Sequence, residues 1–457
     1  ITLFNFLVDN KLLSEKFEEK HWDKFKKSLE NALIILFGIK KILKINKYDH
    51  LLVFSAEYSF NKICVEYAKK YNIRIINSAI GKNPLNSNKY WNSYEASYEG
   101  NYYHCNKFWE IHKNNGISNK EISLSKDWIN SFLKSSSYLN FSASPKSLSV
   151  RELFKIPEKY KKIVLIALSS TDERLGDSLL QYKQSDKKIC KSNIYKNDVE
   201  WTKYLINELK EFDNTFFIFR PHPRDFGSSQ SKNSSPLQSG ALDYYYSISK
   251  NLPENCAFNF DMNVSIYDFI PEIDLLLNSS STTSYEFGLF GIPTIVYDQN
   301  LYYYSNDLVY YPKENQEYIG LIKQILNAEI DKKEIIINSF KWISMQVTHE
   351  PVDISDIFNI NSTSLSFKIL NRIQRYSGLN FLNNLLFFTK NKKIKNFHIL
   401  KEVMLNNASS VLEINLKNKP YISQSKSEQF GLIKKCLEEI LIKKKSYAKL
   451  LNKLSKI

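Results

Sequence analysis

The segment Phe219-Arg-Pro-His-Pro-Arg224 sets a histidine between two prolines and flanks it with two arginines. Proline lacks an N–H, fixes its own φ and pushes the preceding residue into extended geometry. The segment should therefore end sheet pairing and hold Arg220, His222, Pro223 and Arg224 in a rigid corner. Guanidinium groups match phosphate, and an imidazole can donate to a phosphoryl oxygen without a metal. A second run, Asn278-Ser-Ser-Ser-Thr-Thr-Ser284, precedes Tyr285-Glu286. Ser279, Ser280, Ser281, Thr282 and Thr283 would offer hydroxyls and free backbone N–H groups at a helix start, where an anion can be held. Glu286, one turn in, suits ribose hydroxyls. The plainer alternatives are a solvated corner and an ordinary Ser/Thr cap, but one cap needs only one such residue.

A third run is Ser169-Ser-Thr-Asp-Glu-Arg174. Asp172 and Glu173 there could act as nucleophile or base toward a sugar's anomeric carbon, or simply cap a helix. Toward the N-terminus, Glu57 follows a strand pattern, and Glu95 and Glu99 sit in Tyr94-Glu-Ala-Ser-Tyr-Glu-Gly100. These three are acid/base candidates on an acceptor side. Trp91, Tyr94, Tyr98, Tyr102 and Tyr103 suit stacking on sugar rings, although a chain with 29 Tyr scatters aromatics everywhere. No Asp-x-Asp pair stands beside a nucleotide-type loop, His104 beside Cys105 reads as structural, and His112 and His349 read as bland. No metal is expected.

These residues need strands and helices to position them. His50–Ser55 and Ile73–Asn77 read as strands around a helix from Asn61 to Tyr71, a β-α-β unit of a parallel sheet. An amphipathic helix or pair is predicted from Leu13 to Ile45. Residues 82–145 suit loops with helices, and the Ser-rich stretches 135–137 and 142–145 read as a linker. A second series follows. Lys162–Leu168 is apolar at nearly every position, as a strand buried on both faces must be. Trp201–Phe212 reads as a helix, Thr215–Arg220 and Ile273–Asn278 as strands, Ser284–Gly291 as a helix and Pro293–Tyr297 as a strand. Helices follow at 319–326 and 334–345. The expected division is 1–150, an acceptor-side Rossmann-like domain; 151–358, a nucleotide-sugar-binding one; and 359–457, a basic helical tail. In doubly wound folds, ligands sit beyond the carboxyl ends of the strands.

Composition narrows the class. The 457 residues are 43% hydrophobic and 24% charged, which excludes disordered, collagen-like and multi-span membrane chains. The net charge of +15 is lopsided: 359–457 holds 19 Lys+Arg against 5 Asp+Glu. A near-neutral body argues against nucleic acid, while a basic tail suits an anionic membrane surface, a protein partner or a solvated helical face. Plentiful Asn, Lys, Ile, Tyr and Phe also look like codon bias. Five scattered cysteines without a CxxC pair fit a reducing cytoplasm.

The Arg-Pro-His-Pro corner, the Ser/Thr run leading into Tyr-Glu-Phe-Gly-Leu-Phe-Gly-Ile-Pro-Thr-Ile-Val-Tyr297, and Tyr302-Tyr-Tyr304 followed by Asp307 resemble the capsule-polysaccharide biosynthesis proteins, which include the bacterial β-Kdo transferases. More loosely, the His-Pro and Ser-Ser/Thr pair is similar to the CMP-binding motifs of bacterial sialyltransferases. The resemblance covers roughly 160–310. It implies a GT-B fold, two Rossmann-like α/β domains facing a cleft, with a glycosyltransferase activity in surface-polysaccharide synthesis that needs no metal or other cofactor. It further implies a CMP-activated ulosonic acid such as Kdo as donor, a glycan or glycolipid acceptor, and a place in the cytoplasm, peripheral on the inner membrane face. By position, Arg220 and His222 would meet the nucleotide, Ser280, Ser281 and Thr282 its phosphate, Glu286 the ribose, and Asp172 would be the nucleophile of a retaining enzyme. The family's Gln-then-Asp order reads Leu-Ser-Ser-Thr-Asp-Glu here. The alternatives are a UDP- or GDP-sugar donor, a CDP-polyol phosphotransferase and a non-catalytic interaction module.

Overall fold

The computed structural model describes residues 2–12, 18–54, 59–80, 90–95, 103–135, 142–170, 194–195, 197–226, 239–279, 281–297, 304–353, 396–405 and 407–457. The chain starts with helix α1 (Thr2–Asp9) and the long α2 (Trp22–Ile45). Strand β1 (His50–Phe54), α3 (Ser59–Lys69) and β2 (Arg74–Ile80) follow, and β1 pairs with β2 in parallel, as the β-α-β reading requires. Strand β3 (Tyr90–Glu95) then runs antiparallel to β2. Only nine residues separate β2 from β3, too few for the crossover that a parallel neighbour needs. The first sheet is therefore mixed, in the order β1-β2-β3 with the late strand β9 (Pro351–Asp353) beyond β3, rather than wholly parallel.

Helices α4 (Tyr103–Lys113), α5 (Asn119–Leu133) and α6 (Val150–Leu153) lead into the second sheet. It is built from β4 (Lys162–Ala167), α7 (Asp198–Leu209), β5 (Thr215–Arg220), α8 (Gly240–Ile248), β6 (Cys256–Phe258), β7 (Leu275–Asn278), α9 (Thr283–Gly288) and β8 (Thr294–Val296). Its five strands are all parallel, in the order β6-β5-β4-β7-β8, so the order reverses beside β4 as in a doubly wound fold. The apolar run in β4 is explained by its neighbours. Ile163, Leu165 and Ala167 belong to one core and Val164 and Ile166 to another, on the opposite face. Helix α9 lies close to a later helix at Gly288, where a Cβ would come within 2.0 Å of the Ser339 hydroxyl oxygen, so glycine is required.

Helices α10 (Asn315–Asn327) and α11 (Lys332–Ser344) continue the second unit. A π-helical turn, Met345–His349, then delivers β9 (Pro351–Asp353) to the edge of the first sheet, antiparallel to β3. A strand from within the expected 151–358 domain thus completes the sheet of the first. Just after the stretch 142–145, expected as a linker, the chain is pinned: Asp268 Oδ1 accepts the backbone N–H groups of Lys146, Ser147 and Leu148.

The basic tail ends in α12 (Phe397–Met404), α13 (Val411–Lys417), α14 (Lys426–Leu441) and α15 (Ala448–Ser455). These do not form a separate appendage. Ile433, Cys436, Leu437, Ile440, Leu450 and Leu454 are buried in the same core as α5, α9 and α11. Each such side chain contributes about 1.5–3 kcal/mol by leaving water. The apolar faces of α14 and α15 are spent inside the protein, so they offer no amphipathic face to a membrane. No helix among the described residues is long and apolar enough to cross one.

Candidate functional site

Register places the sequence motifs together. Arg220 ends β5 and pairs with Ala167 of β4; Ala167 pairs with Asn278 of β7, and Asn278 with Val296 of β8. These residues form one row across the carboxyl edge of the second sheet. Strands sit about 4.8 Å apart, so Arg220 and Asn278 are separated by two spacings, roughly 10 Å. The Arg-Pro-His-Pro corner and the hydroxyl run therefore leave the same edge and flank the loop after β4. A direct bond ties two of these loops, between the hydroxyls of Ser169 and Ser279.

The Arg220 environment is unusual. Its side chain is buried, with the residue only 5% exposed, yet among the described residues its guanidinium makes one long hydrogen bond, from Nη2 to the Val264 carbonyl at 3.4 Å. Its Nε has no partner, and no carboxylate pairs with it among the described residues. Burial pulls its pKa down to about 10, so it stays charged near neutrality. A buried cation with an unpartnered Nε is costly unless an anion completes it. His222 is half-buried, and its Nδ1 accepts the Arg224 backbone N–H at 3.2 Å. Burial, with the charges of Arg220 and Lys11, pushes the imidazole down to about 3, so it is neutral. With Nδ1 accepting, the proton lies on Nε2, which is then a donor. Pro223, Arg224 and Phe226 wind into a short 3-10 turn after it.

The hydroxyl run does two jobs. Ser281 Oγ accepts the Thr283 backbone N–H, and the Asn278 side chain donates to the hydroxyls of Thr283 and Ser284. Ser281, Thr282 and Thr283 remain half-buried. Part of the run is thus local capping. Glu286 is buried and accepts from the Tyr267 hydroxyl at 3.1 Å. Burial raises its carboxyl to about 7, against hydrogen bonds from Thr282 and Tyr267 that act the other way.

That shift predicts a pH dependence. Below the ordinary pKa of about 4.5 both native and unfolded chains carry the proton, and there is no penalty. Between there and about 7 the unfolded chain loses its proton first, so stability falls as pH rises. Above 7 the penalty is complete, on the order of 3 kcal/mol. Glu286→Gln can still accept from Tyr267 and should be more stable than the native protein at pH 8, with little difference below pH 4.5. Urea unfolding at the two pH values measures this; a Gln variant less stable at pH 8 would contradict it.

Other expected residues lie elsewhere. Asp172, Glu173, Glu57, Glu99 and Ser280 fall outside the described residues, as do Tyr98 and Tyr102. Glu95 is exposed at the end of β3 and pairs with Arg74 at 3.5 Å, opposite the first half of β2. That is the end of the first sheet away from the carboxyl ends of β1 and β2, so Glu95 holds strands rather than facing their ligand edge. Tyr94 is buried and its hydroxyl accepts from Asn77, so it is not a stacking platform. Asp307 accepts from Trp109 and Lys113, each at 2.8 Å, joining α4 to the loop before α10.

Two residues at the site were not legible. Lys11, just past α1, donates to the Arg224 carbonyl, 213 positions away. Tyr267 links Glu286 toward Arg220 from a 3-10 turn, Ile266–Asp268, that carries no motif. The two bland histidines also prove to be central: His112, Glu121 and His349 have ligand atoms within 4.8 Å of one another. A metal could use such spacing, but the Lys419 ammonium already donates to Glu121 at 2.8 Å, and His349 Nε2 lies 3.0 Å from the same oxygen. The group reads as a buried hydrogen-bonded ion cluster.

No protein-family model matches the chain, and neither does any curated protein. Among solved structures, the chain is similar to the β-Kdo 2,7 transferase of Thermosulfurimonas dismutans KpsC, with 13% identity over 74% of this chain and 90% of that one and a TM-score of 0.36. It is also similar to the Methanocaldococcus jannaschii UDP-GlcNAc 2-epimerase, at 13% identity over 67% and 79% and a TM-score of 0.31. A third is the wall teichoic acid polymerase TagF, at 14% identity over 50% and 47% and a TM-score of 0.24.

Proposed function

We propose that the chain is a glycosyltransferase of surface-polysaccharide synthesis whose donor is a CMP-activated ulosonic acid such as Kdo. The observation that carries the reading is Arg220: a buried guanidinium at the carboxyl edge of a doubly wound sheet, with no anion paired to it among the described residues. A nucleotide phosphate is the anion expected in that place. His222 Nε2 and the hydroxyls of Ser281, Thr282 and Thr283 would add neutral donors, and Glu286 would reach the ribose.

With CMP the leaving group carries one phosphate. Charge developing on it as the sugar–oxygen bond breaks would be met by Arg220 and His222, with no metal needed. In a retaining course Asp172 would attack the anomeric carbon as CMP leaves with the bonding pair, and the acceptor hydroxyl would then displace the carboxylate. In an inverting course a base on the N-terminal side, Glu57 or Glu99, would take the acceptor's proton. The acceptor would be a glycan or glycolipid at the cytoplasmic face of the membrane.

Thermal shift with CMP, CDP, UDP and GDP tests this. A ligand at a hundred times its Kd stabilises the fold by about 2.7 kcal/mol. CMP should raise the melting temperature and CMP-Kdo should release CMP in the presence of acceptor. A shift with UDP or GDP and none with CMP would overturn the donor. No shift with any of the four would overturn the site.

A further inference from the structure

Helices α14 and α15 hide their apolar faces, but α2 exposes one. Its core side is Phe25, Ala32, Leu36 and Leu43, of which Ala32 is buried and the rest are partly so. On the outside, Leu29, Leu33 and Phe37 are 42%, 43% and 63% exposed, and Ile34 and Ile45 more so. The spacing orders these residues. Lys26, Leu29, Leu33, Phe37, Lys40 and Lys44 recur every three or four positions and so form one stripe along the helix. The three apolar residues span roughly 12 Å, with lysines at both ends of the stripe. Ile34, Lys41 and Ile45 form the adjoining row. Over its length α2 carries six lysines against Asp23 and Glu30.

We infer that this face of α2 is a membrane-surface anchor, lying in the plane of an anionic bilayer with Leu29, Leu33, Ile34 and Phe37 among the acyl chains. The charge pattern selects the occupant. Lysine is depleted from the cores of protein–protein interfaces, and a second copy of the helix would bring like charges together. An anionic headgroup layer instead accepts lysines that snorkel from an apolar stripe, the pattern of an interfacial helix. The inference is independent of the donor assignment, and its readout is vesicle binding rather than activity.

The experiment floats the full chain with phosphatidylcholine vesicles, with and without a minority of phosphatidylglycerol. The native protein should float with the anionic vesicles and much less with the neutral ones. Leu33→Asp with Phe37→Asp should weaken binding by at least about tenfold, because the apolar contact is lost. Lys40→Gln, Lys41→Gln and Lys44→Gln together should remove the preference for phosphatidylglycerol. All five side chains are exposed, so unchanged melting temperatures are expected and separate lost binding from lost folding. Absence of flotation on anionic vesicles, or equal flotation of the Asp variant, would overturn the anchor. So would light scattering showing a native dimer that the Asp variant breaks, since the face would then be a contact between copies.

Discussion

Lys419→Met is expected to lower the free energy of unfolding by about 3–5 kcal/mol, the usual cost of leaving a buried charge without its partner. The charge left behind is Glu121, whose side chain is fully buried. It sits at the third position of α5, where it closes a capping box with Ser118 through bonds of 2.7–2.8 Å. Its other oxygen takes Lys419 at 2.8 Å and His349 at 3.0 Å. Burial alone would raise this carboxyl. The hydrogen bond from His349 and the positive surroundings, Lys419 among them, instead hold it well below the ordinary range. The His112 imidazole is also pushed down, by burial and by Lys419, and is therefore neutral. Lys341, pulled down to about 8 chiefly by burial, donates to the Lys113 carbonyl at 2.6 Å.

The sign of the pH effect follows. A carboxyl with a depressed native pKa adds stability that is complete above its unfolded pKa and is lost as pH falls toward the native value. The native protein should therefore hold this contribution through mild acid and lose it only in strong acid. Lys419→Met should lose it at neutral pH. Adding Glu121→Gln keeps the cap, because Gln also serves at that position of a capping box, and removes the stranded charge. The double variant should recover much of the loss in urea unfolding at pH 7. A Lys419→Met variant as stable as the native protein would show that Glu121 does not depend on it.

This cluster also shows what composition leaves open in the tail. The positive charge of 359–457 is visible in the sequence, and so is the helical spacing from Leu432 to Leu454. Which face turns inward is not. Lys419 looks like any other lysine of the tail, yet its side chain is only 5% exposed, because its partner lies some three hundred positions upstream. Long-range partners are silent in local patterning. The second sheet was legible for the opposite reason: β4, β5 and β7 are apolar on both faces and end at their motifs, so each local signal agrees with the fold. Strands β6 and β9 have three residues each, too short for a period to register, and β9 is reached through a π-helical turn that no spacing announces. At the site, Arg220 and His222 were legible because two prolines mark their loop. Lys11 and Tyr267 were not, since neither sits in a biased run.

Arg220→Met should weaken CMP binding by on the order of a hundredfold, and in the absence of ligand it should cost little stability or even add some. The two halves of this expectation come from the same geometry. A guanidinium that meets a phosphate makes two charge-assisted hydrogen bonds, together worth about 3 kcal/mol or more, which is roughly a hundredfold in Kd. Without the phosphate, the same group is a buried cation with one 3.4 Å bond and an unpartnered Nε. Replacing it by an apolar side chain of similar length removes that penalty. A structural arginine would give the reverse: a large loss of stability on substitution and no change in ligand affinity. His222→Ala separates the corner's two donors. It removes one neutral hydrogen bond, worth about 1 kcal/mol, so affinity should fall about fivefold. Because His222 is already neutral, any step in the native protein's affinity at about pH 6 should be that of the CMP phosphate itself and should persist unchanged in His222→Ala. Calorimetric titration of CMP into the three proteins, beside their urea midpoints, reads both quantities at once. Loss of stability in Arg220→Met with CMP affinity intact would make the corner structural and leave the proposed site without its anchor.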